Sequence, residues 1–189
     1  MPKLGMEPIR REALVMATIA EVGDVGSLQV TVGQIAKRAG MSSALAHHYF
    51  GGKDQIFLAA MRRILSDFQA EVLGELARTS RDARAEAIIR ACFAHSCFSP
   101  KAISAWMTFY VMAQSNSEAL RLWRLYQRRL RSNLSHALRP VVSEPKAAAA
   151  TLAALIDGLY LRAALNDPDA PETAAEQAIV VLGLLRNGS

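Results

Sequence analysis

The sequence is poor in cysteine and lacks long apolar runs. It contains only two cysteines, Cys92 and Cys97, in 189 residues, so no disulfide framework can form, and free thiols suit a reducing cytoplasm. The N-terminal residues include no apolar segment typical of a signal peptide. The longest uncharged run, residues 102–117, is too short to span a bilayer. These absences argue against secreted and membrane proteins and indicate a cytoplasmic location.

Recognisable catalytic patterns are missing as well. The sequence has no glycine-rich phosphate loop, no Gly-x-Ser-x-Gly and no pair of carboxylates in a catalytic setting. Cys92, His95 and Cys97 are close in sequence, but Cys97 does not share the helix face of the other two and no fourth ligand is obvious. We therefore expect no enzyme activity, no metal and no other cofactor.

Apolar residues in a helical period dominate the chain. They make up 51% of the sequence, and strand-like alternation never lasts. These patterns predict an all-α protein of about nine helices. Glycine and proline mark the breaks, and the later helices are predicted at about 82–97, 101–115, 117–138, 145–165 and 172–186.

Two helices before residue 80 have predicted apolar faces. The first helix begins near Glu7, and the apolar positions at helical spacing are Ile9, Ala13, Met16 and Ala20. A much longer helix begins at Lys53, and its apolar face consists of Phe57, Met61, Ile64, Phe68, Val72 and Leu76. We expect both faces to be buried.

Residues 31–50 predict two short helices joined by a tight turn. Thr31 and Gln34 have the spacing of a capping box, and Gly40 permits the positive φ that such a turn often needs. A helix-turn-helix of this kind can place its second helix in the major groove of DNA. Residues 25–53 contain basic but no acidic side chains, and the whole chain carries a net charge of +5. Both facts favour a polyanionic partner.

A signature of fixed residue types extends over this segment: Thr31, Ile35-Ala36, Ala39-Gly40, Met41, Ser42, Tyr49-Phe50 and Lys53. It resembles the signature of the TetR family of bacterial transcriptional regulators. The resemblance implies a three-helix DNA-binding head at residues 1–53 and a larger ligand-binding and dimerising body at residues 54–189. It also implies a homodimer on a palindromic, double-stranded operator.

The same resemblance implies which residues contact DNA. Thr31 would cap the first short helix and contact a phosphate, while Tyr49 and Lys53 would contact phosphates, and Arg38 adds positive charge. The recognition helix would present Ser42, Ser43, Ala44, Leu45, His47 and His48. The family often has tyrosine at the position of His47, so operator recognition can differ here.

An aromatic cluster makes residues 101–126 a candidate ligand pocket. Its members, with one from a later helix, are Trp106, Phe109, Tyr110, Trp123, Tyr126 and Tyr160. Such a cluster is commonly core, but aromatic faces also attract a quaternary ammonium. Asp157 interrupts the apolar run 147–161, and a buried carboxylate needs either an arginine or a cationic ligand. The sequence leaves both explanations open.

Similarity to the choline-responsive branch of the family extends through the body, notably over residues 105–114, 128–134 and 157–165. It implies a repressor of genes for choline uptake and glycine betaine synthesis, released by choline or a related quaternary amine. A stripe of arginines on one helix is most often a solvated or salt-bridged face; the functional alternative is an anionic effector such as an acyl-coenzyme A. The stripe consists of Arg121, Arg124, Arg128 and Arg131.

Apolar surface on the last two predicted helices points to self-association. Residues 147–165 are apolar around much of the helix, and residues 174–185 add a second apolar face. Helices that cannot hide all their apolar surface within one chain usually pair with a second copy.

Overall fold

The computed structural model describes residues 5–26, 29–165 and 171–187. These residues form nine α-helices and one short 3₁₀ turn, with no strand among them. The helices are α1 (Met6–Val25), α2 (Val32–Arg38), α3 (Ser43–Phe50), α4 (Lys53–Ala77), α5 (Arg84–Cys92), α6 (Pro100–Ser115), α7 (Ser117–Leu138), α8 (Pro145–Leu165) and α9 (Pro171–Asn187). The all-α prediction is confirmed, while the outermost residues of the two predicted domains lie outside the described residues.

The short helices begin where the capping residues predict. Thr31 accepts the backbone N–H of Gln34, whose side chain in turn accepts the backbone N–H of Thr31. The Ser42 side chain accepts the N–H of Leu45 at the start of α3. Gly40 has a φ of +68° in the turn between the two helices, a conformation that costs glycine least. The helix-turn-helix geometry is therefore encoded locally.

The first helix buries a different face from the predicted one. Ile9 and Met16 are exposed, whereas the buried side chains are Leu14, Val15, Ala17, Thr18 and Val22. The reason is that α1 packs against α2, α4 and α6, so its buried stripe is wide and faces both head and body. The predicted face of α4 is confirmed: each of its six residues is buried or half-buried.

The body is a layered helical bundle around one core. Helix α8 packs against α6, α7 and α9, while α5 packs against α4, α7 and α9. The largest fully buried side chains of the body are Ile56, Leu58, Ile88, Ile89, Leu130, Leu134, Leu138, Leu152, Ile156 and Leu182. No helix in the described ranges combines the length and apolar character that crossing a membrane requires.

The predicted helix at 82–97 is wrong at its C-terminal end, because α5 stops at Cys92. Residues 93–99 form turns instead. The Tyr160 hydroxyl donates to the carbonyl oxygens of Cys92 and Cys97, at 2.5 and 3.2 Å. Phe93 and Phe98 also pack on the Tyr160 ring, with centroids 5.8 and 4.9 Å away. Tertiary contacts with α8 thus replace the last helical turn. The other four later helices match their predicted bounds within one residue.

Candidate DNA-binding surface and ligand pocket

Helix α3 presents one polar face to solvent. Its exposed side chains, spaced so as to share a side of the helix, are Ser43, Ala44, His47 and His48. Ala46 is fully buried, and Leu45 is half-buried, so these two hold α3 against the rest of the head. Ser42 is engaged as the helix cap. The exposed face has the hydroxyl and imidazole groups that can read base edges or bind phosphates.

Two further predicted phosphate contacts lie beside this face. Tyr49 is half-buried at the end of α3, and its hydroxyl accepts a 3.5 Å hydrogen bond from Arg10. Lys53 is the first residue of α4, and its ammonium lies 5.4 Å from the centroid of the Phe57 ring. The preceding Gly52 supplies no side-chain cap. The N–H groups of the first turn of α4 are thus available to an anion.

Arg38 has intramolecular partners that the sequence did not predict. Its guanidinium pairs with Glu21 and, at 2.7 Å, with Asp24. Lys101 of α6 binds the other oxygen of Asp24 at 2.9 Å. The hydrogen bonds from Lys101 and Arg38 lower the pKa of Asp24. A DNA phosphate would compete with two carboxylates for Arg38, whereas the same network links α1 to both α2 and α6.

If Lys53 contacts a phosphate as predicted, replacing it with alanine should weaken operator binding by about 3- to 10-fold, because a charge-assisted contact would be lost. The salt dependence of binding identifies the lost contact as one to phosphate. The slope of the logarithm of the operator-binding constant against the logarithm of salt concentration should become shallower by about 1 per head. Fluorescence anisotropy at several salt concentrations measures both. Lys146→Ala, on α8 and remote from the head, is the matched control. An unchanged slope in Lys53→Ala would remove this residue from the interface.

All the predicted aromatic residues of the body come together around Trp106. This indole is buried, and its ring lies 4.9 Å from Tyr126, 6.1 Å from Tyr110 and 6.3 Å from Tyr160. Trp123 meets Tyr110 edge-on at 6.5 Å. Aromatic rings from α6, α7 and α8 therefore pack together in one part of the body.

Phe109 belongs to the same cluster but faces the head side of the body. Its ring is 5.4 Å from that of Trp106 and 6.3 Å from that of Tyr110. It also lines a narrow gap with Thr18 of α1 and Met61 of α4. The aromatic cluster thus has a direct packing contact with the two helices that lead to the DNA-binding surface.

Asp157 is held by two neutral donors. The Tyr110 hydroxyl donates to Oδ1 at 2.9 Å, and the Gln127 amide donates to Oδ2 at 2.7 Å. Among the described residues no lysine or arginine pairs with this carboxylate. Burial raises the pKa of Asp157, whereas the two hydrogen bonds lower it, and the net direction is upward. A half-buried carboxylate without a counter-ion favours a cationic ligand.

Trp123 has a polar group in the same region. Its indole N–H is buried and has no hydrogen-bond acceptor. It lies close enough to the Tyr110 hydroxyl to lower the pKa of that phenol without making a proper hydrogen bond, although burial raises the Tyr110 pKa overall. Buried donors almost always have a partner in folded proteins, so a bound molecule with an oxygen at this point would satisfy the N–H.

Tyr160 is more tightly engaged than the other candidates. Its hydroxyl is occupied by the Cys92 and Cys97 carbonyls, which leaves its ring as the part that can face a ligand. Burial raises the pKa of Tyr160 and of both thiols. Both cysteines are free, and no group of three potential metal ligands occurs among the residues that the structure describes.

Two residues of this site escaped the sequence reasoning. Gln127 lies one helical turn after Trp123 on α7, a spacing that places both on one face, and this periodicity was the available signal. Phe68 of α4 packs edge-on against Tyr126, with centroids 5.4 Å apart. Nothing local indicates that contact, because it joins helices 58 positions apart in sequence, 126 − 68.

The chain matches two family models. Residues 14–60 match the tetR family of bacterial regulatory proteins, and residues 81–181 match the C-terminal domain of BetI-type transcriptional repressors. The chain therefore belongs to the TetR family of transcriptional regulators, and its body is of the BetI type. The HTH-type transcriptional regulator BetI of Brucella anthropi is 49% identical over 183 residues, covering 95% of this chain and 94% of that protein. Its counterpart in Brucella melitensis, 48% identical over 184 residues, is likewise a transcriptional regulator.

Solved structures share the fold at lower identity. A transcriptional regulator from Rhodococcus sp. Rha1 has a TM-score of 0.85 and 23% identity, covering 94% of this chain and 96% of that one. A transcriptional regulator from Saccharomonospora viridis, in complex with choline, has a TM-score of 0.79 and 18% identity, covering 92% and 95%. At these identities the likeness shows the fold alone.

Proposed function

We propose that this protein is a cytoplasmic, choline-responsive repressor of genes for choline uptake and glycine betaine synthesis. It binds a palindromic operator as a homodimer and leaves DNA when choline or a related quaternary amine occupies the body. The observation that carries the proposal is the half-buried carboxylate of Asp157. It has no basic partner among the described residues, and it accepts a hydrogen bond from Tyr110, whose ring packs near those of Trp106 and Trp123.

Choline fits this chemistry group by group. Its quaternary ammonium cannot donate a hydrogen bond, so aromatic faces and a carboxylate are the protein groups that attract it. Its hydroxyl oxygen can accept the orphan N–H of Trp123. The BetI relatives and the choline complex of the Saccharomonospora viridis regulator support this assignment. An acyl-coenzyme A is less favoured here, because Asp157 would repel an anion.

Helices α8 and α9 supply the proposed dimer surface. Four large apolar side chains on them stay exposed: Leu161 (50%), Leu165 (75%), Val180 (62%) and Leu184 (66%). Pairing with a second copy would cover this surface and set the spacing of two recognition helices along DNA. If analytical ultracentrifugation showed that the protein sediments as a monomer at micromolar concentration, this part of the proposal would be contradicted.

The signal would travel through α6 and α1. Helix α6 carries Trp106 and Tyr110, and its first turn holds Lys101 against Asp24 of α1. Asp24 in turn holds Arg38 at the end of α2, while α4 runs directly from Lys53 into the body. Choline would favour an arrangement with wrongly spaced heads only if it binds that arrangement more tightly than the DNA-bound one.

The decisive experiment measures anisotropy of DNA from upstream of the gene for this protein, at one stated salt concentration. Adding choline should release the DNA. The matched control is 3,3-dimethylbutan-1-ol, which has the shape of choline without its charge and should not release DNA at equal concentration. Release by both compounds would deny the role of Asp157. Release by neither compound would show that choline is not the effector, whereas the proposed DNA-binding function would be unaffected.

A further inference from the structure

A basic cavity lies between the ends of three helices of the body. Its basic lining residues are Arg84 at the start of α5, Arg131, His136 and Arg139 around the end of α7, and Lys146 in the first turn of α8. The cavity measures about 540 Å³, within the range of small-molecule sites. None of its lining residues is acidic. Its charge is therefore of one sign.

The cations of this cavity lack a carboxylate partner, as do Arg121, Arg124 and Arg128 of the arginine stripe, whereas several other arginines of the described residues are paired. Arg38, Arg62, Arg63, Arg78 and Arg90 each pair with at least one carboxylate. In contrast, Arg84, Arg131, Arg139 and Lys146 make no ion pair or side-chain hydrogen bond within the described residues. Like charges gathered without counter-ions repel one another, so an anion would stabilise this arrangement.

Arg84 supplies an independent sign of a missing partner. Its Nε is buried and has no hydrogen-bond acceptor, although the arginine Nε–H is a strong donor. The α5 helix that begins at Arg84 has no side-chain cap, so its first N–H groups add to the positive potential. Ser132 and Ser135 bring hydroxyl groups to the same cavity. Donors from three helices are thus available to acceptor oxygens.

We propose that this cavity binds a small anion carrying two or more negative charges, of the phosphomonoester or diphosphate class. Three guanidinium groups can each fork onto two phosphate oxygens, and Lys146 adds a fourth permanent charge. The site is separate from the aromatic cluster and does not depend on the choline assignment. Of the arginine stripe, only Arg131 lines it.

The position of the cavity separates it from the DNA-binding surface. Leu76, near the end of α4, lines it, whereas Lys53 begins the same helix. Their separation of 23 positions corresponds to about 35 Å at 1.5 Å per residue. The head of the same chain therefore cannot place this cavity against the operator, and the anion is a small molecule rather than bound DNA.

The test uses the full-length protein in a buffer free of phosphate, with inorganic pyrophosphate as the probe and calorimetry as the readout. We expect one pyrophosphate per chain and at least 10-fold weaker binding in Arg131→Gln and in Arg139→Gln, both exposed residues whose loss leaves the core intact. Arg124→Gln, on the same helix but outside the cavity, is the matched control and should bind like the unchanged protein. Inorganic phosphate should bind more weakly than pyrophosphate.

Three results would overturn the proposal. The first is absence of binding at millimolar pyrophosphate. The second is equal weakening in Arg124→Gln, which would reveal a general attraction to the basic surface. The third is loss of binding in Lys53→Ala, which would place the anion at the head instead.

Discussion

Asp157→Asn should leave operator binding unchanged and raise the choline concentration needed for release by about 10- to 100-fold. The variant removes the carboxylate that would neutralise the ammonium, and two opposite charges about 4 Å apart attract by about 1–4 kcal/mol at the dielectric of water or of a protein surface. The asparagine oxygen can still accept the Tyr110 hydroxyl, and the Gln127 amide can rotate to meet the new NH₂ group. The fold should therefore survive the substitution.

Anisotropy titrations with choline measure this effect directly. Asp67→Asn is the matched control: it removes an exposed carboxylate of α4 that pairs with Arg63 and that, unlike Asp157, accepts no hydrogen bond from the aromatic cluster. Equal choline responses in Asp157→Asn and the unchanged protein would refute the role of Asp157. A comparable loss in Asp67→Asn would indicate a general effect of charge.

The same residue should give the choline response a pH dependence. Burial raises the pKa of Asp157, so on acidification this carboxyl takes up a proton at a higher pH than an exposed carboxyl does. Only the ionised form attracts the ammonium, so choline should release DNA less readily as pH falls. In Asp157→Asn this pH step should disappear, and its persistence there would assign the step to another group.

The helices and the head were predictable because their signals are local. Capping at Thr31 and Ser42, the positive φ of Gly40 and the apolar period of α4 all depend on residues a few positions apart. The two wrong predictions concern features that depend on contacts between residues distant in sequence. The buried face of α1 depends on α6, and the end of α5 depends on the hydroxyl of Tyr160, which reaches Cys92 from 68 positions away.

The candidate pocket divides in the same way. Sequence periodicity identified the aromatic rings and singled out Asp157 as an interruption of an apolar run. It could not reveal that the partners of Asp157 are Tyr110 and Gln127 rather than an arginine. Choosing among partners requires knowing which helix faces converge. The predicted DNA-contacting residues stay predictions, although the exposed face of α3 suits them.

Gly23→Ala should destabilise the protein by about 1–3 kcal/mol, through overpacking where α1 crosses α6. A Cβ at this position would lie 2.8 Å from Cβ of Lys101 and 3.0 Å from both its Cα and its carbonyl oxygen. Backbone atoms cannot move aside as a side-chain end can. In an open helix position the same change would instead stabilise by about 0.5–1 kcal/mol. The melting temperature should fall by roughly 2–12 °C.

Gly74→Ala provides the matched control, because its added Cβ meets nothing within 4 Å on α4, and it should be neutral or slightly stabilising. Calorimetric melting compares the two variants, and equal Tm values would contradict the close approach of α1 to α6.

Pushing the helices apart should also separate Lys101 from Asp24, so Gly23→Ala should respond poorly to choline. Lys101→Ala isolates this effect: it removes the exposed ion pair with little loss of stability but should weaken the choline response. A normal response in Lys101→Ala would mean that packing at Gly23, and not the ion pair, carries the signal from α6 to the head.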